Sequence, residues 1–309
     1  MTGLYSLIKR NIKLYFKDKG LFFSSLITPI ILLVLYVTFL RNVFYDSFCA
    51  SLKSAGATVA EDVINGCVGG QLVSSLLAVS CVTVAFCSNL LMIRDKTSGA
   101  KYDLDIAPVK SSTIALGYYL ATLFSTLIIN VAAAGVCMVY LAATGWFMSA
   151  GDVLLLFLDV FLLTMFGTAL SSCINFFLST DGQASAVGTI VGAGYGFICG
   201  AYMPISSFSD TLQKVLSFLP GTYGTSLMRN HALRGVFEEM ADAGFPDEII
   251  NGIKGSVDCK LYFFGSELSI PAMYAVLTGS IVLFILIYVF INISANRKRV
   301  KSRLAGKSH

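Results

Sequence analysis

This sequence predicts an all-α polytopic membrane protein, on three observations. The 309 residues are 56% hydrophobic and 13% charged, with a mean hydropathy of +0.76, whereas soluble domains carry about 25% charged residues. Six apolar runs approach or exceed the roughly 20 residues that cross a bilayer as a helix: 21–43, 70–93, 113–141, 153–178, 184–203 and 271–293. The basic residues gather on alternate connections, as the positive-inside rule requires. Lys9, Arg10, Lys13, Lys17 and Lys19 precede the first run; Arg94, Lys96, Lys101 and Lys110 lie in 94–112; six more lie in the tail 294–309. The long connection 204–270 instead carries the acidic cluster Glu238, Glu239, Asp242, Asp247 and Glu248. A single transmembrane domain over 1–309, multi-pass in the cell membrane with both termini cytoplasmic, satisfies this pattern.

Residues 4–19 read as an interfacial amphipathic helix. Leu4, Ile8, Ile12 and Tyr15 share one side at helical spacing, and Lys9, Lys13 and Lys17 share another. Such a helix lies in the membrane surface with its cations at anionic lipid headgroups. The first run is too long for a signal peptide, and no small-residue cleavage site follows it. It contains Thr28-Pro29, and proline removes one helical hydrogen bond, so Pro29 is a candidate hinge. The 94–112 connection is the largest charged segment on the basic side apart from the two ends, and a cytosolic partner would dock there.

The fourth run carries Asp159. An intramembrane carboxylate is costly and marks a functional site by default. No partner for it is visible in sequence, so a packing role and contact with substrate or proton both stand. Spans 2 and 3 add hydroxyls and amides, among them Ser74, Ser75, Ser80, Thr83, Asn89 and Asn130; Asn89 is the second candidate for substrate contact. In the fifth run Gly188, Gly192, Gly196 and Gly200 recur every four residues, a stripe suited to close helix packing. Pro204 then stops the helix, Leu212, Val215, Leu216 and Leu219 follow at helical spacing, and Pro220 breaks again. A segment dipping into the outer leaflet, bounded by Pro204 and Pro220, is expected there between spans 5 and 6. A small polar excursion with a helix near 246–254 follows. Of the eight cysteines, Cys81, Cys87, Cys137, Cys173 and Cys199 fall in apolar runs. A Cys49–Cys67 bridge would be open to formation if that side is oxidising.

Catalytic signatures are absent. There is no GxxxxGK[ST] phosphate loop, HExxH or GxSxG, no CxxC, and the two histidines, His231 and His309, are far apart. The chain is therefore expected to be neither an enzyme nor the holder of a cofactor or metal, and no nucleic-acid partner is expected. If it transports actively, the engine is another polypeptide.

The order of motifs resembles the membrane subunit of type-2 ABC exporters, the drug, lantibiotic and polysaccharide export permeases. The resemblance rests on Arg10-Asn11, Tyr15-Phe16-Lys17-Asp18-Lys19 and Thr28-Pro29, on Gly99 and Ala107-Pro108-Val109, and on the glycine-rich fifth span running into Met203-Pro204 and Leu219-Pro220-Gly221-Thr222-Tyr223. It implies that 94–112 is a coupling segment seated on an ABC ATP-binding subunit, with Arg94, Asp95, Gly99, Asp103 and Pro108 at the contact. It implies a second contact through Lys9, Arg10, Lys13 and Lys17, ATP and Mg on that partner subunit, and re-entrant helices after span 5 that form an outer gate at Pro204 and Pro220. A second permease copy, as homodimer or heterodimer, would complete the pathway in a bacterial plasma membrane. The loop departs from the family's glutamate-flanked pattern, reading Asp95-Lys96-Thr97-Ser98-Gly99-Ala100-Lys101.

Two other classes compete. A self-sufficient secondary transporter using Asp159 would need coupling-ion groups in the bilayer and commonly shows repeated halves; no repeat of spans 1–3 is evident in 4–6. A membrane-anchored enzyme or scaffold would need a site, and none is legible.

Overall fold

The computed structural model describes residues 2–54 and 60–305. Thirteen α-helices account for nearly all of it, with one two-stranded antiparallel hairpin, β1 (Tyr262–Phe263) and β2 (Ser266–Glu267), near the end of the 204–270 connection. Five helices among the described residues are long and apolar enough to cross a membrane: Lys19–Asp46, Glu61–Thr97, Ser111–Thr144, Ala150–Phe177 and Ile270–Ala295.

Helix α1 (Thr2–Lys17) is amphipathic, as its spacing predicts. Its buried side centres on Leu7, Asn11 and Tyr15 and packs on α7 (Ser111–Thr144), where Leu7 Cβ lies 3.1 Å from the position of a Cβ on Gly117. Asp18 ends α1 and caps α2 (Lys19–Leu35), accepting from the Leu21 N–H at 3.0 Å. Helix α2 runs unbroken through Pro29. The departure from regular α geometry falls later, in a π-helical turn at Tyr36–Leu40, before α3 (Arg41–Ser54) continues the same rod.

The longer, first part of the second span, α4 (Glu61–Ser88), is the axis of the molecule. It touches α2, α3, α7, α8 (Ala150–Phe177), α9 (Asp181–Ile198) and α11 (Pro220–Asp242). Glycines make this possible. A Cβ on Gly70 would lie 2.6 Å from Leu233 Cδ2 and 3.0 Å from the Ala232 carbonyl oxygen, and one on Gly167 would lie 2.9 Å from both the Cys81 oxygen and Val82 Cα. Helix α8 starts at a reciprocal capping box, with Ser149 and Asp152 each bonding the other's backbone N–H.

The connection 204–270 differs from expectation. A short helix, α10 (Asp210–Leu216), and a later one, α12 (Asp247–Ser256), lie close to where the sequence puts them. Between them stands α11, 23 residues long and buried against α4, α8 and α13 (Ile270–Ala305). Pro220 does not interrupt it but occupies its first turn, where the missing N–H has no helical partner to lose. The periodicity over 220–242 was hidden because polar residues such as Thr225, Ser226, Arg229 and His231 are buried.

Helix α9, the fifth expected span, is 18 residues long and falls outside the five membrane-length apolar helices. It ends at Ile198, so Gly200 lies past the helix. There φ is +75°, a conformation glycine tolerates best, and the Ala201 and Tyr202 N–H groups donate back to the Gly196 carbonyl at 2.8 and 3.0 Å.

Candidate functional site

Two surfaces and a set of buried polar ties compete for function. The first surface is the charged connection after α4. The chain continues through α5 (Leu90–Thr97), turns at Gly99 with φ +82°, and forms α6 (Ala100–Ile106), a helix of seven residues. Tyr102, Asp103, Ile106 and Pro108 are exposed on α6 and its exit.

The other predicted contact residues divide. Asp95 is buried, receiving Arg10 at 2.7 Å and the Tyr118 hydroxyl at 2.5 Å, which joins α5 to α1 and α7. The hydrogen bond to Asp95 raises the Arg10 pKa above its ordinary value. Arg94 is ion-paired with Asp18. Lys96 donates to the carbonyls of Asn175, Phe176 and Leu178 at 3.0, 2.6 and 2.7 Å, neutralising the C-terminal end of α8. Arg10, Arg94 and Asp95 therefore anchor α5, which leads into α6, while Lys9, Lys13 and Lys17 stay exposed along α1.

The second surface is a groove of about 930 Å3 between the α2–α3 rod and α9. Its walls include Thr28, Tyr36, Phe39, Phe197 and Tyr202, and Pro204 with part of α12 closes one end. Of the glycine stripe, Gly192 lines it, 3.9 Å from Thr28 Oγ1 as measured from a Cβ position, and a Cβ on Gly188 would meet nothing within 4 Å. Gly196 is covered by the Tyr202 ring. Close helix contacts within this chain are made instead at Gly69 and Gly70 of α4, Gly167 of α8 and Gly224 of α11, while Gly66 makes room for the Phe147 ring. The Gly66-x-x-x-Gly70 spacing was the signal on α4.

The buried ties take in both intramembrane polar candidates. Asp159 is fully buried and does not line the groove; His231 Nδ1 lies 2.6 Å from its Oδ2, and the Tyr274 hydroxyl donates to Oδ1 at 2.6 Å. Its partners sit 72 and 115 residues away in sequence, which is why none was legible. Asn89 is likewise buried, donating to Ser171 and Ser172 at 3.1 and 3.0 Å and accepting from Thr122 at 3.4 Å. Ser80, Asn130 and Thr164 form a parallel chain of 2.8 and 3.0 Å bonds across α4, α7 and α8. Cys49 and Cys67 are free thiols.

Sequence reasoning missed Arg229 and Asp258. Arg229 is fully buried, pairs with Asp258 Oδ2 at 2.9 Å, donates to Ser75 Oγ at 3.2 Å and bonds the Gly200 carbonyl. Asp258 accepts the N–H groups of Ile205 and Ser206 at 2.6 and 3.2 Å. The turn after Pro204 is thereby fastened to α11 and α4. An arginine in an otherwise neutral stretch, Leu227-Met228-Arg229-Asn230-His231, was the available clue.

A family model agrees with this architecture. No curated protein matches the chain significantly. The model of the ABC-2 type transporter matches residues 2–232, from α1 to the middle of α11, and so takes in α6, the groove helices and most of the bundle. The chain thus belongs to the ABC-2 type transporter family, as a multi-pass membrane permease that works with an ATP-binding subunit.

Proposed function

We propose that this chain is the membrane half of an ATP-driven exporter, in which a separate subunit binds ATP and Mg and this chain performs no catalysis. Residues 94–112 and both termini face the cytoplasm of a bacterial cell. The protein has six spans, with α9 the fifth. Its 18 residues cover about 27 Å at 1.5 Å per residue, close to the roughly 30 Å hydrocarbon core. Helix α10 and the turn after it, with Leu212, Val215 and Phe218 exposed, dip into the outer leaflet. Two copies, alike or sister chains, meet across the open faces of α2 and α9, and an amphipathic or apolar cargo passes between them as in multidrug or peptide efflux.

One observation carries this reading: α6 presents exposed side chains to the basic side while its base is braced to three helices. Arg10, Asp95 and Tyr118 tie α5, which leads into α6 through Gly99, to α1 and α7, and Lys96 ties α5 to the end of α8. A push on α6 by a closing ATPase dimer is transmitted to those helices, because packed interfaces shift as units. α6 is thus a coupling helix.

The test is purification of the tagged chain in mild detergent. A soluble subunit with nucleotide-binding motifs is expected to co-purify, and Ile106→Asp combined with Asp103→Lys should release it without shifting the chain's melting midpoint. Undiminished recovery of that subunit with the variant would sink the coupling assignment.

A further inference from the structure

The α2–α9 groove contains one residue that its apolar walls do not explain. Gln71 of α4 lines it, is 1% exposed, and has neither its Nε2 nor its Oε1 bonded to any group among the described residues. Buried amides are ordinarily hydrogen-bonded, and one left without partners is costly. Leucine or methionine would fill the same space without that cost. The surroundings make the contrast sharper, since no Asp, Glu, Lys or Arg lines the groove and its walls are mainly aliphatic and aromatic.

The groove also has the size and form of a small-molecule site. Its volume of about 930 Å3 is at the upper end of the range in which drug-sized ligands bind, roughly 300–1,000 Å3, and such sites combine apolar walls with a few polar groups that set orientation. The π-helical turn at Tyr36–Leu40 places Tyr36, Phe39 and Leu40 on one wall, and π turns occur frequently at functional sites.

We propose that Gln71 is the specificity residue of this groove and that the ligand is an uncharged, elongated apolar molecule bearing a carboxamide. A carboxamide of Gln71 presents a donor and an acceptor side by side. A ligand amide answers both at once with two parallel hydrogen bonds. An ester answers only the donor, and a hydroxyl, with donor and acceptor on one oxygen, cannot align with both ends of the amide. A charged ligand finds no counter-ion among the lining residues and would be stranded in apolar surroundings. The proposal rests on the export reading above for its biological setting, but the binding chemistry can fail independently of it.

The experiment compares two probes of equal chain length, radiolabelled dodecanamide and methyl dodecanoate, on the permease–ATPase complex in lipid nanodiscs. Dodecanamide should bind saturably. Gln71→Leu and Gln71→Met should each weaken it about tenfold, equivalent to about 1.4 kcal/mol, while the affinity for the ester changes less than about twofold. The unliganded variants should melt no lower than wild type, because an unpartnered buried amide has been removed. Equal amide affinity in wild type and both variants overturns the proposal, as does parallel loss of amide and ester. If wild type binds neither probe yet retains its ATPase subunit, the proposal fails and the permease assignment stands; loss of that subunit from wild type counts against the export reading instead.

Discussion

His231 Nδ1 and Asp159 Oδ2 lie 2.6 Å apart where α11 crosses α8, and Tyr274 of α13 closes the group from the other side at 2.6 Å. Three helices far apart in sequence are joined by one carboxylate. Both oxygens are engaged and the residue is 0% exposed, so Asp159 holds the bundle together and does not face the groove.

Replacing Asp159 by Ala should therefore act on folding first. Each buried polar group left without its hydrogen-bond partner costs about 1–3 kcal/mol, and His231 and Tyr274 would both be stranded. A large fall in the melting midpoint in detergent is expected, with non-additive loss in the Asp159→Ala, His231→Ala double variant. An Asp159→Ala protein that melts like wild type would return the residue to the pathway.

The glycines separate into two classes. Gly70→Val and Gly167→Val place a side chain within 3.0 Å of backbone atoms on a neighbouring helix, and overpacking costs about 1–3 kcal/mol or more. Both should fail to assemble or melt early. Gly188→Val meets nothing within 4 Å in its own chain, so it should leave the melting midpoint unchanged while disturbing pairing with a second copy, read by cross-linking.

Asp258→Ala should loosen the segment after Pro204. It strands Arg229 in the interior without its counter-charge and frees the Ile205 and Ser206 N–H groups, at a cost of about 3–5 kcal/mol. Faster tryptic cleavage at Lys254 and Lys260 is the measurement; wild-type cleavage rates would show that the tie is dispensable.

At Gly99 the backbone sits at φ +82° with open space around the Cα. Proline is held near −65° and cannot adopt that turn. Gly99→Pro should displace α6 and abolish stimulation of the partner ATPase, with membrane insertion intact. Normal stimulation would mean that α6 does not transmit the push.

Thiol chemistry offers a direct check on burial. Desolvation pushes the Cys259 thiol up to about 12, so at pH 8 only about one molecule in ten thousand carries the reactive thiolate. Maleimide should label Cys259 far more slowly in the folded protein than after unfolding, and equal rates in the two states would show that the thiol is accessible. Peptide mapping under non-reducing conditions should recover Cys49 and Cys67 unlinked.

Much of this protein was legible from local pattern alone. Apolar runs longer than a bilayer, the alternation of basic connections and the helical spacing in α1 all follow from what lipid demands of a single segment, and each is written in consecutive residues. The short helices α10 and α12 and the turn at Pro204 follow from proline and spacing in the same way. What faces what is a different matter. The sequence marks Asp159, Asn89 and the glycines of α9 by type, yet tertiary packing assigns Asp159 and Asn89 to interior ties and leaves Gly188 open. It also buries α11, pairs Arg229 with Asp258, and leaves Gln71 at the wall of the groove without a partner. The reason is physical: lipid selects segments by average apolarity, whereas a buried polar group is satisfied by one particular atom on another helix, and no periodicity within a helix records where that atom will be.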